Sequence, residues 1–117
     1  MILGFVNQQE LTIVSPTVVA DTINYLTAEF TFLSEDWQGL DDYYAHFIFG
    51  KVKECRKLIN GKITEDAGLN LAAGRWEVGI YGEKVSDGTV TKRITTKLVP
   101  LIVKRSGITP WMECQKP

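Results

Sequence analysis

The chain has 117 residues, 44% hydrophobic and 23% charged, with 13 Lys and Arg against 14 Asp and Glu for a net charge of −1. That length suits one domain, and the apolar content is too high for a disordered chain. The near-neutral balance gives no electrostatic footprint for nucleic acid or an anionic membrane surface. No apolar run approaches the roughly 18 residues of a membrane span, and Met1–Val6, although apolar, lacks the basic flank and the length of a secretion signal.

Alternation of apolar and polar residues, the signature of half-buried strands, dominates the chain. Glu10–Val14 reads as a short strand with Leu11 and Ile13 inward. Pro16–Thr22 fits loop or strand. Tyr25–Phe32 turns Leu26, Ala28, Phe30 and Phe32 to one side and Thr27, Glu29 and Thr31 to the other. Ser34-Glu35-Asp36-Trp37 predicts one helical turn, with Ser34 as N-cap, two acids at the positive end and Gly39 as the stop. Tyr43–Phe49 is the next strand, with Ala45, Phe47 and Phe49 inward.

Val52–Ile59 alternates poorly and carries Lys53, Glu54, Arg56 and Lys57, which suits an edge strand guarded by charge. Asn60-Gly61 is the strongest hairpin signal and predicts pairing of Val52–Ile59 with Lys62–Thr64. Thr64-Glu65-Asp66-Ala67 predicts a second helical turn. Trp76–Tyr81 places Trp76, Val78 and Ile80 on one face, with Gly79 and Gly82 marking close packing or a bend. Ser86-Asp87-Gly88 marks another hairpin loop. Thr91–Val103 reads as a long strand with Ile94, Thr96 and Leu98, then Leu101 and Val103, inward. The parity shifts near Pro100, which predicts an edge position or a bulge there.

These elements predict an all-β fold over residues 1–105. The expected form is an antiparallel β-sandwich of about seven or eight strands, with the immunoglobulin-like arrangement among its versions. Residues 106–117 have no periodicity and read as a C-terminal arm or linker.

The chemistry-bearing residues argue against an enzyme. There is one histidine, His46, at a strand position, and there are two cysteines, Cys55 and Cys114. The chain has no C-x-x-C, no G-x-S-x-G and no phosphate loop. A bridge between the cysteines would stabilise by roughly 4 kcal/mol, but reduced thiols are expected in a chain that is not secreted. A Cys-His dyad would require Cys55 or Cys114 to meet His46 in space. The acids Glu35, Asp36, Asp41 and Asp42 lack calcium-loop spacing and read as solvated. Lys51, Lys53, Arg56, Lys57 and Lys62 form a basic hairpin, with Lys53, Arg56 and Lys57 as candidate interface residues. Trp76 reads as core, Trp37 as a plug at one end of the sandwich, and Trp111 with Ile108 as an apolar docking anchor in the arm. No cofactor or metal is expected.

The run Phe30–Leu40 with Tyr44-Ala45-His46-Phe47, the run Ile63–Leu71, the run Gly74–Gly82, and Arg93-Ile94-Thr95-Thr96 ending in Val103…Ser106-Gly107 form an ordered set. Together they resemble a small β-rich module near the N-terminus of tail and baseplate structural proteins in phages and prophages of Gram-positive bacteria. The resemblance covers about residues 9–107, with Trp37, Gly39, Leu40, Trp76 and Gly82 as its structural motif residues. It implies a virion structural protein acting by protein–protein assembly, resident in the virion or the bacterial cytoplasm. The implied partners are further copies of the chain or other virion proteins, in a homo-oligomer, with no nucleic acid or membrane. Such proteins usually continue past the Ser-Gly segment into a Pro-rich linker, whereas this sequence stops at Pro117. Two other classes stay open: a carbohydrate- or receptor-binding module, which would display Trp37 and Trp111 as a flat platform, and a small phage inhibitor of a host enzyme.

Overall fold

Strands take up 58% and helical turns 6% of the residues described by the computed structural model, which are 1–14 and 17–107. The strands are β1 (Ile2–Asn7), β2 (Glu10–Val14), β3 (Val18–Val19), β4 (Ala28–Phe32), β5 (Asp42–Phe49), β6 (Val52–Lys57), β7 (Lys62–Ile63), β8 (Gly74–Ser86), β9 (Thr89–Thr95) and β10 (Val99–Lys104). Single helical turns occupy Glu35–Trp37 and Glu65–Ala67. One sheet has the order β2-β1-β4-β7. The other has the order β3-β10-β8-β5-β6, with β9 also paired to β8.

The all-β expectation holds. Both sheets are antiparallel except for two parallel pairings, β1 with β4 and β3 with β10. β1 was not foreseen, because its apolar run Ile2-Leu3-Gly4-Phe5-Val6 does not alternate in hydropathy. It nevertheless lies between β2 and β4, burying Ile2 and Val6 and turning Leu3 and Phe5 outward.

One apolar core lies between the sheets. The four-stranded sheet contributes Ile2, Val6, Leu11, Ala28, Phe30 and Ile63, and the other contributes Ala45, Phe47, Trp76, Val78, Ile80, Leu101 and Val103. Apart from Ile2, Val6 and Ile63, which the sequence reading did not place inward, these belong to the inward sets read from the sequence; Phe49 and Leu98, read as inward, are exposed. Phe49 stands at the end of its strand against the Trp76 ring, centroids 5.2 Å apart.

Leu98 is displaced by a bulge. β9 and β10 run in line along the same side of β8. Between the pairs Thr95–Tyr81 and Val99–Val78 the strand carries one residue more than β8 does. The parity shift predicted near Pro100 therefore falls at 96–98. Thr96 holds the bulge by accepting a hydrogen bond from Ile80 N at 3.0 Å. Pro100 opposes Glu77 where β3 does not reach, since β3 pairs only with Val103 and Lys104, so the missing N–H leaves no neighbouring strand unpaired.

The Asn60-Gly61 turn forms with both residues at positive φ, as a two-residue primed turn demands. The strands beside it do not pair as predicted. Only Ile59 and Lys62 bridge, because the chain changes sheets here: β6 ends at Lys57 and β7 joins β4. Leu58, buried, turns this corner. Asp87-Gly88 closes the β8–β9 hairpin as expected.

Trp76 is buried, and its Nε1–H donates to Ala72 O at 2.8 Å. Trp76→Ala is expected to cost about 3–5 kcal/mol, read as a fall in the urea midpoint. A loss under about 1 kcal/mol would show that the core closes without it.

Candidate functional site

β6 is an edge strand, as its charge pattern predicted, but its cations have different roles. Arg56 turns toward the core side. Its Nε donates to Ala67 O at 2.8 Å and its Nη2 to Gly68 O at 3.0 Å, latching β6 onto the second helical turn. Gly68 adopts the left-handed conformation at the end of that turn, which aims the two carbonyls at the guanidinium. Lys57 pairs with Asp42 on the neighbouring β5 at 3.0 Å, and that carboxylate's hydrogen bond and charge raise the Lys57 pKa above its ordinary value. Lys53 has no ion pair among the described residues. Lys62 lies in the other sheet, so the predicted basic hairpin is not one surface. Ile108, Trp111 and Cys114 lie outside the described residues, as does most of the predicted arm.

Of the motif residues, Trp37, Leu40 and Gly82 meet at one end of the core, whereas Trp76 lies toward the other end against Phe49. Trp37 is 1% exposed, which removes it from any glycan platform. Its ring lies against Phe32 (centroids 5.1 Å apart) and over Gly82, where a Cβ would stand 3.3 Å from the indole and 2.6 Å from Leu40 Cδ1. Gly39 has positive φ, as a stop requires, while Gln38 occupies the cap position itself. Ser34 does not cap the turn with its side chain; its Oγ accepts from Gln8 N at 2.8 Å.

The acids predicted as a loop cluster disperse. Asp41 accepts from Val85 N at 2.6 Å and Asp42 pairs with Lys57. Among the described residues no group of three or more His, Cys, Asp or Glu could hold a metal ion.

The outer face of the six-stranded sheet brings together residues that the sequence left separate. Phe49 pairs with Val52 across the tight Gly50-Lys51 turn, which sets Cys55 opposite His46 and Lys57 opposite Tyr44. Had that turn been read as a two-residue hairpin, the pairing would have been visible. β8 adds Tyr81 opposite Tyr44, and β9 adds Thr95 opposite Tyr81. The Tyr44 and Tyr81 rings stack at 4.9 Å, and His46 meets Tyr81 edge-on at 5.7 Å. Arg93 lies 6.0 Å from the Tyr81 centroid and pairs with Glu83, its Nε donating at 2.6 Å.

His46 lies over Gly79, where any Cβ would collide with the imidazole Nε2. Its Nδ1 is buried without a hydrogen-bond partner among the described residues. Burial first, and the Lys53 ammonium second, hold its pKa below the ordinary 6.5. Burial first, then Cys55 and Glu83, push Tyr81 up to about 12, so the phenol is a neutral hydrogen-bonding group at any physiological pH. Cys55 is a free, exposed thiol whose sulfur lies 4.0 Å from Tyr81 Oη. His46 and Cys55 thus do meet across the strands, but no hydrogen bond joins them among the described residues. The face can offer donors and aromatic surface to a ligand; it does not assemble a nucleophile with its base.

Comparison with protein-family models, with curated proteins and with solved structures found no match for this chain. Among the described residues no helix is long and apolar enough to cross a membrane.

Arg56→Ala leaves the Ala67 and Gly68 carbonyls without their donor and is expected to cost about 1–3 kcal/mol. Lys57→Ala removes only an exposed pair and is expected to leave the urea midpoint in place. Equal effects of the two substitutions would contradict the latch.

Proposed function

We propose that the chain is a structural module of a phage or prophage tail or baseplate, working by protein–protein contact with further copies of itself or with other virion proteins. The supporting observation is the outer face of the four-stranded sheet. Cross-strand register sets Val14 beside Leu3 and Thr12 beside Phe5, and Thr31 flanks Phe5 from β4. Val14 is 53% exposed, Phe5 37%, and Leu33, just past β4, 61%. Thr12 and Thr31 beside Phe5 bring no charge to that position, whereas Glu29 on β4 stands opposite Leu3, and Glu10 and Lys62 lie on the edge strands. A contiguous apolar row on a chain this small marks a contact surface. The family resemblance of the ordered sequence blocks supplies the class of assembly.

Sedimentation of the full chain at tens of micromolar is expected to give masses above the 13.1 kDa protomer. The double variant Phe5→Ser, Val14→Ser is expected to return it to the protomer without loss of folding. A protomer at every concentration, unchanged in the variant, would remove this face from the reading. Flanking genes for tape-measure, baseplate and lysis proteins are the expected neighbourhood, and metabolic genes in their place would contradict the virion role.

A further inference from the structure

A second surface lies outside the assembly reading. A cleft of about 270 Å³ on the outer face of the six-stranded sheet is lined by His46, Lys53, Tyr81, Arg93 and Thr95. All five side chains can donate hydrogen bonds: an imidazole, an ammonium, a phenol, a guanidinium and a hydroxyl. No carboxylate lines the cleft. Of the two glutamates that β8 directs to this face, Glu77 pairs with Arg75 at 3.5 Å, outside the cleft, and Glu83 pairs with the cleft's own Arg93. Glu83 holds Nε and Nη2 of Arg93 and leaves the Nη1 hydrogens without a partner among the described residues. The unpartnered Nδ1 of His46 is a second and independent sign that the site is not chemically complete.

We propose that this cleft binds a tetrahedral oxyanion, the phosphate or sulfate group of a ligand. Lys53 supplies the unpaired charge. Arg93, Thr95 and Tyr81 supply directed hydrogen bonds, more than the two oxygens of a carboxylate need. His46 adds a second charge when it takes up a proton. The titratable groups around it are Lys53 and Cys55 from β6, Tyr44 from its own strand, Tyr81, Glu77 and Glu83 from β8, and Arg93 from β9. With both glutamates paired to arginines, Lys53 dominates the field at the imidazole and opposes protonation. A bound anion reverses that field, so binding and His46 protonation favour each other.

The test is a titration of the isotope-labelled full chain with sodium sulfate at constant ionic strength, followed by amide and imidazole shifts. Sulfate keeps its charge between about pH 5.5 and 7.5, so any pH dependence belongs to the protein. The expected result is saturable shifts confined to Lys53, Thr95 and His46, with affinity rising as pH falls. Lys53→Ala is expected to weaken binding about tenfold, and His46→Gln to bind without the pH dependence. Phenyl phosphate and inorganic phosphate serve as competitors. Displacement of sulfate by phenyl phosphate assigns an ester as the source of the group, and displacement by inorganic phosphate alone assigns the free ion. Linear shifts spread equally over Lys51, Lys57 and Lys62, or binding unchanged in Lys53→Ala, would overturn the proposal.

Discussion

Trp37 ties the two sheets together at one end, beside a backbone hydrogen bond from Lys97 N to Gln9 O at 3.0 Å and an ion pair of Lys97 with Glu10 at 2.7 Å. The Trp37 indole N–H donates to Gln8 O at 2.7 Å, in the turn between β1 and β2 of the four-stranded sheet. Its own carbonyl accepts from the Tyr43 hydroxyl on β5 of the other sheet. Its ring fills the space over Gly82 of β8 and touches Phe32 at the end of β4. Dispersion and burial give such a contact most of its energy, but the two hydrogen bonds give it direction. They fix which turn of one sheet faces which strand of the other. Ser34 reinforces the same junction by accepting from Gln8 N instead of capping its own helical turn.

β8 is the spine on which this junction and the outer face both depend. Its 13 residues pair with β5 on one side and with β9 and β10 in succession on the other. Gly79 and Gly82 are three residues apart, so alternation places them on opposite faces of the sheet. Gly82 admits Trp37 from inside, and Gly79 admits His46 from outside. One strand thereby accepts a large ring on each face with no bend between them. The inner ring locks the sheets together, and the outer ring lies at the cleft beside Lys53 and Arg93.

Much of the fold was legible because the strands that face the core on one side alternate cleanly. Tyr25–Phe32, Tyr43–Phe49 and Trp76–Tyr81 each name their buried residues, and the structure buries Ala28, Phe30, Ala45, Phe47, Trp76, Val78 and Ile80 accordingly. β1 escaped because both of its faces carry apolar residues, one set in the core and the other exposed. The exposed set is the surface that supports the assembly reading, so the feature that hid the strand is the one of functional interest. The crossing after β6 escaped because Asn60-Gly61 specifies a turn locally and says nothing about which sheet receives the next strand. Arg56 was read as a candidate interface residue on charge pattern alone. Its role depends on two carbonyls aimed by the left-handed Gly68, a tertiary arrangement with no local signature.

Native-state hydrogen exchange of the Trp37 indole N–H tests the junction most directly. If Trp37 joins the sheets, that proton can exchange only when they separate. Its exchange is expected to be as slow as that of the core amides of β8, and to quicken with urea along the same slope as global unfolding. Fast exchange of the Trp37 indole, independent of urea while the β8 amides stay protected, would contradict the account. It would show that the end of the sandwich opens on its own and that the two sheets are held together elsewhere.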